Sequence, residues 1–203
     1  MSDRIDPART ALLTIDLQND FLDPAGAYGR AGLGSPAIAE LPDRVLPVIE
    51  ALRAAGGVYI SAQFTLVPGP EGEPLIAPHL KALRPFLGKG DFAPGEWGHQ
   101  VVDRLGTPDY VVEKVNYSAF FQTRLEYICR ALSIDTLIVG GIVTNGGVAS
   151  TVRDAHLRDV HTVLLSDGCA AFKPEVHEAT LTSLGSVSRQ MTCAEAVTMI
   201  GGH

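Results

Sequence analysis

"GGIVTNGGVAST", residues 140–151, overlaps the most continuous β-favouring run of the chain, "DTLIVGGI" (135–142), and leads into the helix-like "GVASTVRDAHLRD" (147–159). A buried strand that turns straight into a helix is the repeating unit of a parallel α/β sheet. Such sheets place their ligands beyond the C-terminal ends of the strands. Here the turn carries Gly146 and Gly147, where a nucleophilic side chain would be expected. What chemistry can a turn with no side chain at its centre support?

Outward from this turn the same alternation continues. "TALLTID" (10–16), "VYISAQF" (58–64), "YVVEKV" (110–115) and "HTVLLSD" (161–167) read as strands. "SPAIAELPDRVLPVIEALRAAGG" (35–57) reads as a helix towards its end, stopped by Gly56-Gly57, with Pro42 and Pro47 disturbing its start. "GEWGHQVVDRLG" (95–106), "QTRLEYICRALSI" (122–134) and "PEVHEATLTSLG" (174–185) read as further helices. Residues 65–95 are rich in proline and glycine. They are expected to form a loop with one short helix that borders the site and sets substrate choice. "VSRQMTCA" (187–194) and "EAVTMIG" (195–201) close the chain. This β-α alternation, repeated about six times, predicts a doubly wound α/β fold with helices on both faces of a parallel sheet. We expect one domain over residues 1–203.

Composition narrows the function. Of 203 residues 46% are hydrophobic and 19% charged, as in an ordinary globular chain. The net charge of −7, with no basic run, argues against nucleic acid and anionic membranes as partners. "MSDRIDPAR" (1–9) is too polar for a signal peptide, and no run reaches the ~18 apolar residues of a membrane span, so a cytoplasmic protein is expected. Cys129, Cys169 and Cys193 are odd in number and widely spaced, which favours buried apolar roles over disulfides or zinc. The six histidines show no ligand spacing, and no phosphate-binding glycine motif is present. No metal and no cofactor are expected.

The polar residues at the strand ends carry the functional reading. Asp16 follows "TALLTI", where a buried unpaired charge would be expensive. It is either a turn residue or a carboxylate in the mouth of the sheet. Gln63 lies at the end of the second strand and Lys114 late in the third. An acid, a lysine and a glycine turn therefore meet at three strand ends. A carboxylate beside an ammonium stays ionised yet can exchange protons with a ligand. Backbone N–H groups at a helix start can bind a developing anion.

"TALLTIDLQNDF", "VVEKVNYSAFFQTRLEYICRALSIDTLIVGGIVTNGGVASTVRDAHLRDV" and "TVLLSDGCAAF" closely resemble the isochorismatase-like hydrolase superfamily, in the family's order and over nearly the whole chain. The resemblance implies a six-stranded parallel sheet in a three-layer α/β/α sandwich. It also implies homodimers or homotetramers acting on a small molecule, and a cis peptide at Ile142–Val143. The family's cysteine hydrolases use an Asp–Lys–Cys triad. Asp16 and Lys114 match the first two members, but Gly147 stands at the cysteine's place in "T-N-x-C-V-x-S-T". The metal-holding Asp-x-His pair of the family's nicotinamidases has no match in "AQFTLVPG".

Three readings follow from the resemblance. In the first, Asp16 protonates the alkene carbon of a vinyl ether, as in isochorismatases, which also carry glycine at this position, and Gln63 of "YISAQ" binds substrate. Against it, "FTLVPGPEGEP" lacks the arginine those enzymes use on a substrate carboxylate, and Val143 replaces their tyrosine. In the second, which is favoured, "NYSAFFQT" and "TNGGVAST" align the chain with the amidohydrolase branch, including ureidoacrylate- and carbamoyl-type hydrolases. Asp16, held ionised by Lys114, then activates water for attack on a C–N bond. The N–H groups of Val143 and Gly147 form the oxyanion hole, and Tyr117, Phe120, Asn145 and Gln63 contact substrate. In the third, the site binds a small molecule without turnover. Tyr117 and Phe120 also have an ordinary reading as core or interface aromatics.

Overall fold

A computed structural model describes residues 5–201. Its centre is a six-stranded, all-parallel sheet in the order β3-β2-β1-β4-β5-β6. The strands are β1 (Thr10–Ile15), β2 (Val58–Phe64), β3 (Tyr110–Lys114), β4 (Thr136–Ile142), β5 (His161–Ala170) and β6 (Arg189–Met191). The first three short helices are α1 (Asn19–Leu22), α2 (Ala27–Arg30) and α3 (Pro36–Ala39). The remaining helices are α4 (Leu41–Ala54), α5 (Pro78–Leu83), α6 (Leu125–Ala131), α7 (Ala149–His156), α8 (Pro174–Leu184) and α9 (Cys193–Gly201).

Strand periodicity divides the core in two. Leu13, Ile15, Ala62 and Val112 face α6, α7 and α8 through Leu125, Val152 and Leu184. Leu12, Tyr59 and Ile138 face α4 and α9 through Val45, Ile49 and Ala196. The result is the expected three-layer sandwich. β1, β2, β4 and β5 are almost wholly buried, which accounts for their reading as continuous apolar runs rather than alternating ones. Among the described residues no helix is long and apolar enough to cross a membrane.

Three local expectations are corrected. Residues 95–106 form two 3₁₀ turns, Trp97–His99 and Asp103–Leu105, not one helix. Gly95 and Gly106 have φ of +88° and +66°, and Val101 bridges Gln18 as an extended residue, so the backbone between them cannot coil continuously. The 122–134 helix shrinks to Leu125–Ala131, because Gln122 and Ser133 adopt φ of +55° and +57°. β5 runs past the polar "SDG" to Ala170, with a register shift against β4 between Val139 and Gly141 absorbing the irregularity.

A third cluster lies over the C-terminal ends of the strands, built from Tyr28, Phe64, Leu66, Leu87 and Phe92 with Phe21 and Phe86 against them. Two buried side chains of "LQND" tie it down. The Gln18 amide bonds Phe64 at both N and O and the carbonyl of His99. Asp20 accepts from the backbone N–H of Ala27 and of Phe92. The loops that wall the site thus hang on the residues just after β1.

Candidate active site

Order 3-2-1-4-5-6 reverses direction beside β1, so a crevice opens beyond β1 between its neighbours. Asp16 stands there. Its φ is +59°, a left-handed conformation that aspartate tolerates better than most side chains, and its N–H is bonded to Ala62 O at 2.9 Å. Lys114 ends β3 in register with Phe64. Its Nζ donates to Asp16 Oδ2 at 2.8 Å and to the Asn116 carbonyl at 3.2 Å. The two side chains, 98 residues apart in sequence, are only 1% and 8% exposed.

Burial decides the electrostatics of this pair. Desolvation pushes the Asp16 carboxyl above its ordinary value, and it outweighs the opposing pull of the Lys114 ammonium. Oδ2 is committed to Lys114, while Oδ1 is buried with no hydrogen-bond partner among the described residues. An acceptor oxygen left open on a carboxylate of raised pKa is suited to receiving a proton.

The glycine turn closes the third side. The Ile142–Val143 peptide is cis. Residues Thr144–Val148 then make one wide π turn before α7. At Gly147 a Cβ would lie 3.3 Å from Asp16 Oδ2, 3.0 Å from Ile15 Cγ2 and 3.2 Å from Ile142 O. The missing side chain would therefore point at the carboxylate. Gly141 is required for a different reason: its φ is +120°, and a Cβ would come within 2.1 Å of the Ile15 carbonyl oxygen. That close approach brings β4 against the end of β1 and sets the distance between turn and acid.

Asp16, Lys114, Tyr117 and Val143 line one cavity. Phe21, Phe64 and Phe172 supply apolar wall, and Arg84 a cation. Three expected substrate contacts are not part of that lining. Gln63 is buried but shares its strand face with Ser61 and Tyr59, because its neighbour Phe64 takes the side that Lys114 occupies. Phe120 is a core residue beneath α7, with the Arg158 guanidinium 5.0 Å from its ring centre. Asn145 is exposed on the outside of the π turn. Arg84 is the group that sequence reading missed. The 65–95 segment gave it no motif, only the expectation that this loop borders the site.

None of the cysteines lines the cavity. All three are buried, and burial pushes the Cys129 thiol up to about 11 and the Cys169 thiol up to about 12. Among the described residues no three His, Cys, Asp or Glu side chains gather as a metal-binding group.

Residues 10–196 match the isochorismatase domain. The chain belongs to the isochorismatase family. It is 34% identical over 193 residues to the ureidoacrylate amidohydrolase RutB of Methylobacterium radiotolerans, covering 89% of this chain and 74% of that protein. The ureidoacrylate amidohydrolase RutB of Caulobacter vibrioides is 32% identical over 194 residues, covering 89% and 85%. Among solved structures, a cysteine hydrolase from Pseudomonas syringae pv. phaseolicola superposes with a TM-score of 0.82 at 27% identity, covering 97% of this chain and 94% of that one. The N-carbamoylsarcosine amidase of Thermoplasma acidophilum superposes with a TM-score of 0.70 at 25% identity, covering 91% and 96%. The six-stranded sandwich is thus the isochorismatase-family fold, and hydrolysis is the family's chemistry.

Proposed function

We propose that this isochorismatase-family protein hydrolyses a ureido- or carbamoyl-type C–N bond of a small molecule with water as the nucleophile. The observation that carries the reading is Asp16 Oδ1: an unpartnered acceptor on a buried carboxylate, beside the Gly147 turn, with the other oxygen fixed by Lys114. The likeness to proteins named as ureidoacrylate amidohydrolase and N-carbamoylsarcosine amidase supports the bond type.

The residues then act in sequence. Asp16 takes a proton from water, and the water oxygen bonds to the carbonyl carbon. Charge moves to the carbonyl oxygen, which the N–H groups of Val143 and Gly147 receive. Collapse of this adduct breaks the C–N bond, and Asp16 returns its proton to the departing nitrogen. Lys114 opposes the upward pull of burial on the Asp16 pKa and orients the carboxylate throughout. Gly147 leaves the approach to Asp16 clear. We place the enzyme in the cytoplasm, as a homodimer or homotetramer.

The sign of the pH profile tests the mechanism. A general base must be ionised, so kcat/KM should rise with pH through a limb lying above the ordinary carboxylate range, in line with the raised Asp16 pKa. Asp16→Asn should lose about 10²–10⁴-fold, since an amide accepts no proton from water. A limb that instead falls with rising pH through the same region would mean that the acid form works, as vinyl ether protonation requires. Full activity in Asp16→Asn would sink both.

A further inference from the structure

The Gly147 turn is held at both ends by buried hydroxyls. Thr151, in the first turn of α7, is fully buried. Its Oγ1 donates to the Gly147 carbonyl at 2.7 Å and accepts from the Ala119 N–H at 3.0 Å, which ties that end to the segment after Lys114. Thr144, at the other end, is also fully buried, so solvent does not reach its hydroxyl. Its Oγ1 lies 2.8 Å from Nδ1 of His177, the one partner it has among the described residues. His177 is half-buried on α8 and does not line the cavity. None of the steps from water attack to C–N cleavage employs it.

The Thr144–His177 bond has a direction. A buried hydroxyl with a single partner leaves its own hydrogen unpaired if it only accepts, and an unpaired buried polar group is costly. Thr144 therefore donates, Nδ1 of His177 accepts, and the imidazole carries its hydrogen on Nε2. Thr144 is joined through its peptide to Val143, whose N–H is the proposed oxyanion donor. The Val143 carbonyl accepts from the Gly146 N–H at 2.9 Å, which closes the turn on itself. α8 thus grips, from outside the cavity, the residue next to a donor that has to stand within hydrogen-bond distance of a developing charge.

We propose that His177 is a positioning residue for the oxyanion turn. Through Nδ1 it holds Thr144, and with it the Val143 N–H, at the place where the carbonyl oxygen gains charge. It lies outside the cavity, so it acts on the rate of the chemical step and not on binding. The inference rests on the C–N reading, because vinyl ether protonation builds positive charge and needs no such donor. The state of the turn can nevertheless be read without turnover.

Three variants of the full-length chain separate the ring nitrogens. His177→Asn keeps an acceptor oxygen as many bonds from the backbone as Nδ1, His177→Gln one as many bonds away as Nε2, and His177→Leu keeps neither. The probes are ureidoacrylate and N-carbamoylsarcosine, followed by ammonia release. His177→Leu and His177→Gln should lose about ten- to a hundredfold in kcat with KM within about twofold, since misplacing a reacting group by about 1 Å costs on the order of 10²-fold. His177→Asn should recover most of kcat. Thr144→Val removes the hydroxyl at nearly constant shape and should match His177→Leu, and the double variant should be no worse than either. Thr144→Val also serves as the test should His177→Leu fail to fold. By NMR, the backbone amide resonances of Val143 and Gly147 should move in His177→Leu and return in His177→Asn. If the wild type hydrolyses neither probe while the resonances behave in this way, the hold on the turn stands and the reaction reading falls. A change in KM with kcat unaltered, an Asn variant no better than Leu or Gln, additive losses in the double variant, or resonances that do not move overturns the proposal.

Discussion

Lys114→Met separates a buried ion pair from an ordinary surface one. The ammonium is 2.8 Å from Asp16 Oδ2, and the two side chains are 1% and 8% exposed, so little solvent screens them. Methionine keeps most of the length and removes the charge. Removing one partner of such a pair leaves the other buried and uncompensated, which typically costs about 3–5 kcal/mol. For a chain of this size that corresponds to about 6–20 °C in Tm. The loss should depend on pH. Asp16 already titrates above its ordinary value, and without Lys114 its folded pKa rises further. The folded variant then keeps a proton that the unfolded chain releases. Its stability therefore falls as pH climbs from the ordinary carboxylate pKa to the raised one, by up to about 1.4 kcal/mol per pH unit. Urea denaturation at about pH 5 and about pH 8 reads this directly, and Asp16→Asn/Lys114→Met should recover much of the loss at the higher pH. A loss below about 1 kcal/mol, equal at both pH values, would match a surface pair and refute the buried-pair argument.

Two further outcomes follow from the same geometry. Iodoacetamide should leave the native enzyme's activity intact, because the three cysteines are buried away from the cavity and two have thiols pushed up to about 11 and 12; inactivation that substrate cannot prevent would expose a nucleophile outside this account. Gly147→Cys should cut water-dependent turnover, because its Cβ would stand 3.3 Å from Asp16 Oδ2 and fill the approach to the carboxylate; a variant as active as the wild type would refute that reading of the turn.

How much of this was legible in the sequence differs by element. β2 was read at its observed bounds because its apolar, β-branched and aromatic run has clear ends. β5 was cut short because "SDG" resembles a turn, whereas a parallel neighbour and a register shift carry it on as strand. The 95–106 segment has helix-like apolar spacing, but a bridge to Gln18 overrode it, and such tertiary pairing leaves no local mark. Asp16, Lys114 and the Gly147 turn were legible because each ends a recognisable strand and the family motif orders them. The face that Gln63 takes was not legible: it follows from the pairing of Phe64 with Lys114, after which the two-residue period sends Gln63 to the other side of the sheet. Arg84 could not be found in the sequence either. It reaches the cavity from a long excursion between β2 and β3, and only the packing of Tyr28, Phe64 and Tyr117 gives its position meaning.

The glycine at the nucleophile position makes sense once the rest of the site is considered with it. In a cysteine hydrolase the buried acid has a thiol to deprotonate, and a thiol ionises far more readily than water. In the water mechanism proposed above the same carboxylate acts on water, a harder task that calls for a stronger base. Burial acts in that direction: Asp16 is pushed upward even with Lys114 at 2.8 Å, and Oδ1 has no hydrogen-bond partner among the described residues. Water must then be held against one carbonyl rather than diffuse through the pocket, so the substrate itself must be firmly placed.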